Sequence, residues 1–203
     1  MRYSEPFLFW QLKPDGENAY RAYEHIHSYF EGVTTQYARI YEIWTASSAI
    51  DDKADPNAAF RQKRRLMKQL VRDIHSLLVF LQVISKTLRT FSNKALYPNF
   101  SRLSALNDKW KPYFDQYRDP RNTFEHYDDQ VLGLDTKSNS PGWGLSLSAS
   151  RGFSLGTQVK VPVDEVAYRQ LEQFLTEFED AIQKIVELNP PLQRDARPAA
   201  ARG

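Results

Sequence analysis

The chain has 203 residues, 41% hydrophobic and 26% charged, which suits one domain with a sizeable core and excludes wholesale disorder. It has no cysteine, so disulfides, cysteine–zinc sites and thiol nucleophiles are excluded; with no apolar run of about 18 residues and no signal-like opening, a cytoplasmic chain without membrane spans is expected. Lys and Arg number 27 against 25 Asp and Glu, and a net charge of +2 does not by itself announce a nucleic-acid binder.

Residues 1–16 read as an irregular entry segment ending in the turn Lys13-Pro14-Asp15-Gly16. Tyr23, Ile26, Phe30, Val33, Tyr37, Ile40 and Trp44 then alternate steps of three and four, which predicts a helix over about 17–47. After the polar loop 48–56, Asp55 is placed to cap a second helix with Pro56 at its first position. Phe60, Met67, Leu70, Ile74, Leu77, Leu81, Ile84, Leu88 and Phe91 carry that helix to about residue 92, and Leu66, Val71, Leu78 and Phe80 widen its apolar face, so it should be central. A third helix is expected over about 101–117, with Pro112 inside it. Asp119 and Pro120 then read as cap and first position of a short fourth helix to about Leu132.

The period changes after the loop 135–142. Trp143, Leu145, Leu147 and Ala149 alternate with Gly144, Ser146 and Ser148, and Phe153, Leu155, Thr157, Val159 and Val161 alternate likewise with polar or small residues, predicting a β-hairpin over 143–161 turning at Ser150-Arg151-Gly152. Asp164 should cap a last helix over about 165–188, and the Pro/Ala/Arg-rich tail 189–203 is expected to be disordered. The predicted fold is all-α: an antiparallel bundle of four to five helices over 17–188 with a small hairpin before the last.

Of the four histidines, His25, His27 and His75 border helical apolar faces and read as half-buried structural residues. No HExxH pair, Gly-rich phosphate loop or GxSxG elbow occurs, so no metal or cofactor is expected. His126 differs in its neighbours, Arg118-Asp119-Pro120-Arg121-Asn122-Thr123-Phe124-Glu125-His126-Tyr127-Asp128-Asp129. Asn122, His126 and Asp129 share a helix face; Arg121 lies about 140° round the helix from His126, within reach of a long side chain. A histidine can take a proton from a ribose 2′-hydroxyl or give one to a leaving oxygen. An arginine can hold a phosphate and stabilise its transition state, and the first turn of a helix favours anions. The set suits metal-independent RNA cleavage through a 2′,3′-cyclic phosphate.

The element Arg121-Asn122-x-x-x-His126, placed behind Asp119-Pro120 near the start of a late helix, resembles the signature of the HEPN superfamily. The resemblance implies a bundle of about four long helices, a homodimer that brings two motifs together, and in many members an endoribonuclease of toxin–antitoxin, phage-defence or RNA-processing systems. It implies Arg121 and His126 as catalytic and Asn122 as supporting, with RNA as substrate and an antitoxin or other protein as possible partner. One branch carries Tyr two residues after the His; here that place holds Asp128, with Tyr127 directly after His126, which speaks against modification of a motif tyrosine.

A basic stripe, Arg61, Arg64, Arg65, Lys68 and Arg72, together with Arg118, is a weaker candidate for tracking an RNA backbone; the alternative is a solvated outer face. The competing function is a non-catalytic HEPN-like bundle that binds a protein partner or nucleotide. It is favoured by the small net charge and by the acidic Asp128-Asp129 beside a site meant for phosphate.

Overall fold

The apolar stripes of the first two long segments dictate a helical pair, and the computed structural model, which describes residues 16–97, 100–125, 145–148, 152–155 and 159–188, contains it. Helix α1 runs Gly16–Ser48 and α2 runs Pro56–Phe91. Asp55 caps α2 through Oδ1, which accepts the Ala58 N–H at 2.9 Å, with Pro56 directly behind. The two helices are antiparallel: Ser47 and Lys63 line one cavity, Arg39 pairs with Asp73, and Gly32 faces Phe80. Gly32 permits that approach, because a Cβ there would lie 2.9 Å from the Phe80 ring.

Three more helices follow, α3 (Ser101–Asp115, with Pro112 inside), α4 (Arg118–Glu125) and α5 (Glu165–Leu188), making the protein predominantly helical. Asp164 caps α5, accepting the Ala167 N–H at 2.8 Å. The core joins Ile26, Val33 and Ile40 of α1, Ile74, Leu77, Leu81 and Ile84 of α2, Leu103 and Phe114 of α3, and Leu171, Phe174, Phe178 and Ile182 of α5. Central α2 packs on α1, α3 and α4, while α5 closes the bundle against α3 and α1. No described helix is long and apolar enough to cross a membrane.

The sequence reading needs several corrections. Phe60, expected to begin the inward face of α2, is 67% exposed, and Ala59 is buried instead. Lys63, one turn further on, already faces the last residues of α1, so Phe60 projects beyond the end of its partner helix. His25 and His75 are exposed rather than half-buried. In the stretch expected as a two-stranded hairpin, three short strands occur: β1 (Leu145–Ser148), β2 (Gly152–Leu155) and β3 (Val159–Val161). They pair antiparallel in that order, with Phe153 opposite Leu147 on one side and Val161 on the other. The alternation from Phe153 to Val161 is unbroken in sequence, and a period of two does not mark where one strand becomes two. The irregular segment 1–15, the tail 189–203 and the expected helix beyond Glu125 lie outside the described residues.

Two polar contacts fix the helix packing. Asp73 is buried at 5% side-chain exposure, and its Oδ1 lies 3.2 Å from the guanidinium of Arg39, itself 47% exposed. Burial pushes the Asp73 carboxyl up, and Arg39 opposes that. Replacing Arg39 by Ala strands a buried carboxylate and is expected to cost about 1–3 kcal/mol at neutral pH. Because Asp73 can then take a proton, the loss should shrink as pH falls, which thermal denaturation of Arg39→Ala across pH will check.

The second contact joins α3 to α5. Glu177 accepts from Lys109 Nζ at 2.6 and 2.8 Å, from Trp110 Nε1 at 2.8 Å and from Gln173 Nε2 at 3.0 Å. Burial pushes the Glu177 carboxyl up, but the bonds from Lys109, Trp110 and Gln173 outweigh it and hold the group below its ordinary 4.5. Its stabilisation is therefore present above the unfolded value and is lost as pH falls through the lower folded one. The Tm advantage of the native chain over Glu177→Gln is expected to shrink as pH falls below 4.5 and to vanish below the lower folded value.

Candidate nucleic-acid site

Helix α4, which carries the first two motif residues, is positioned by the tyrosine directly before it. Tyr117 is buried, and its hydroxyl donates to the Pro162 carbonyl at 3.1 Å and lies 3.4 Å from the Tyr113 hydroxyl. Tyr113 donates to the Ala167 carbonyl at 2.9 Å, and Tyr37 of α1 reaches the Pro162 carbonyl at 3.4 Å. Three phenols from two helices and a junction thus grip the turn between β3 and α5 at Pro162 and the first turn of α5 at Ala167. Burial pushes all three hydroxyls up, Tyr113 to about 12 and the other two higher still, so all stay protonated donors at neutral pH.

The start of α4 differs from the expected cap. The helix begins at Arg118, and the Arg121 N–H bonds to the Tyr117 carbonyl at 3.1 Å. Tyr117 therefore holds the capping place, and Asp119 and Pro120 are the second and third residues of the first turn. Proline is tolerated there because first-turn N–H groups have no partner within the helix. Pro120 is buried, Arg121 half-buried and Asn122 exposed. His126 lies outside the described residues.

Arg121 lines a pocket of about 300 Å³ between the end of α2 and the α3–α4 junction. Lys86 and Arg89 enter it from α2, and Arg118 and Arg121 from α4. Among the described residues four cationic side chains thus share one cavity with a single carboxylate, Asp115, and with the polar Gln82 and Ser85. None of Lys86, Arg89 and Arg118 has an ion-pair partner among the described residues. Such a pocket concentrates positive potential and suits a phosphate, which arginine can hold through two parallel hydrogen bonds.

The sequence-derived basic set divides here. Arg118 belongs to the pocket. Arg61, Arg64, Arg65, Lys68 and Arg72 are exposed on α2, but at its other end. From Arg72 to Arg89 is 17 residues, roughly 25 Å along a helix, so the stripe and Arg121 do not form one site. Lys86 and Arg89 were missed; both they and Arg118 and Arg121 stand three apart, a spacing that puts each pair on one helix face.

The remaining polar candidates lie elsewhere. His27 is half-buried, 3.3 Å from Glu179 of α5, with the Tyr23 ring at 4.1 Å. Burial lowers its pKa, and Glu179, Glu24 and Glu31 oppose that, which marks it as a packing residue of the α1–α5 contact. A larger cleft of about 730 Å³ lies between α1 and the start of α5 and is walled by Tyr37, Tyr41, Trp44 and Tyr168, with Asp164 and Glu165 as its charged lining. Those carboxylates make it unsuited to phosphate. Among the described residues no group of three His, Asp or Glu side chains is placed to hold a metal ion. No family model, no curated protein and no solved structure matches the chain.

Proposed function

We propose that the chain is a HEPN-like helical bundle, homodimeric and cytoplasmic, that cleaves RNA without a metal, in a toxin or phage-defence setting. The observation that carries this reading is Arg121 in a four-cation pocket at the start of α4, five residues before His126. The small sheet ahead of α5 is read as the insertion expected in the bundle. In the reaction His126 takes the proton of a ribose 2′-hydroxyl as its oxygen attacks the adjacent phosphorus. The bond from phosphorus to the 5′-oxygen breaks, and that oxygen takes up the proton that His126 removed, so the histidine ends unchanged. The products are a 2′,3′-cyclic phosphate and a 5′-hydroxyl. Arg121 stabilises the charge gathered on the phosphoryl oxygens, and Asn122 positions the phosphate.

The test is cleavage of a mixed RNA pool by the native chain and by His126→Ala, with solution mass measured in parallel. Cleavage lost in the variant, from a dimer, supports the reading. Equal cleavage by both, or a strict monomer that still cuts, contradicts it. The rival, a non-catalytic nucleotide-binding module, is favoured by one observation: the basic pocket suits a phosphate with no help from His126.

A further inference from the structure

We infer that the pocket between α2 and α4 is a receptor for a phosphomonoester, the terminal phosphate of an RNA strand or of a free nucleotide. The inference rests on reading Arg121 as a phosphate-facing residue, and it adds what the motif does not contain: a binding wall supplied by another helix. Lys86 and Arg89 lie on the last turns of α2, and Arg118 and Arg121 on the first turn of α4. The α3–α4 junction that brings them together is locked by the Tyr117 hydrogen bond to Pro162.

The charge arithmetic selects the ligand. Among the described residues four cations and one carboxylate, Asp115, line the cavity, so its described lining is net positive. A bridging phosphodiester brings one negative charge, whereas a terminal phosphate brings between one and a half and two at neutral pH. The dianion gains more from clustered cations, and Asp115 offsets only part of that gain. Size agrees: about 300 Å³ is at the lower end for small-molecule sites and takes a phosphoryl group with its sugar, not a long stretch of strand. The Arg61–Arg72 stripe has the opposite character, an exposed row that lines none of the cavities described above, which fits backbone tracking and gives no preference for an end.

The test uses 2′-O-methyl RNA ten-mers, which lack the attacking hydroxyl and survive any cleavage activity. Binding of 5′-phosphorylated and 5′-hydroxyl ten-mers is measured by anisotropy on the native chain and on Lys86→Ala/Arg89→Ala, with AMP as a competitor. Both residues are exposed and outside the motif, so the variant should keep the native Tm. The native chain is expected to bind the phosphorylated strand about 10- to 100-fold more tightly, the worth of one or two charge-assisted hydrogen bonds. The double variant should lose that preference, and its log-affinity against log-salt slope should fall by about 1.4, or 0.7 per cation removed. A gain from the strand phosphate places the ligand at an RNA end. Displacement by AMP with no such gain places it in a free nucleotide, and both support the pocket. If neither phosphorylation nor AMP matters, or the double variant weakens both strands equally, the inference is overturned. Its failure is separate from that of the ribonuclease reading: an end preference without cleavage removes the ribonuclease, and cleavage without an end preference removes the pocket.

Discussion

Replacement of Phe174 by Ala is expected to destabilise the protein by about 3–5 kcal/mol, the usual cost of removing a fully buried ring. Phe174 is 0% exposed in the middle of α5, and its ring meets Trp110 at 5.7 Å, Phe114 at 5.1 Å and Phe178 at 6.2 Å. The two edge-on contacts join α5 to α3, the stacked one lies within α5, and α3 leads directly into the α4 junction. The surrounding rings are rigid and cannot collapse fully into the space, so a cavity term adds to the lost burial. For a chain of this length the Tm should fall by roughly 6–20 °C. Phe174→Leu should recover most of the loss. A Phe174→Ala variant that melts with the native chain would show that α5 does not close this core.

The second large effect falls on activity. Arg121→Ala is expected to lower the RNA cleavage rate about 100- to 1,000-fold, the range seen when one donor to a developing oxyanion is removed. Arg121→Lys should recover little, because an ammonium cannot reproduce the planar two-pronged contact of a guanidinium with phosphate. Tyr117 and the buried Pro120 also seat α4 in the bundle, and the Tm of both variants, measured alongside, separates a loss of fold from a loss of chemistry. Single-turnover rates at saturating RNA separate this loss from weakened binding. Full activity in Arg121→Ala would remove Arg121 from the mechanism.

What could be read from the sequence follows from how local each signal is. Asp55-Pro56 and Asp164 announce their helices because a cap bonds to an N–H three residues on, and both bonds are present. The inward faces of α1 and α2 were legible because burial repeats with the helical period. Phe60 failed because periodicity does not show where a partner helix ends. Asp119 failed as the cap by two positions, since Tyr117 is fixed by a bond to a residue far along the chain, Pro162. The candidate site splits the same way. Arg121 and Asn122 stand out by local spacing, whereas the convergence of Lys86 and Arg89 on them depends on how the end of α2 meets the α3–α4 junction. The basic stripe attracted notice because it is dense in sequence, yet the cations that gather in space are two pairs 29 residues apart, from Arg89 to Arg118.

The most direct measurement is the chemistry of the RNA ends produced in EDTA. Reaction at a 2′-hydroxyl assisted by His126 predicts fragments with 2′,3′-cyclic phosphate and 5′-hydroxyl ends, formed at an unchanged rate when divalent ions are chelated. Fragments with 5′-phosphate and 3′-hydroxyl ends, or cleavage abolished by EDTA, would contradict it, because water rather than the ribose would then be the nucleophile or a metal ion would be required.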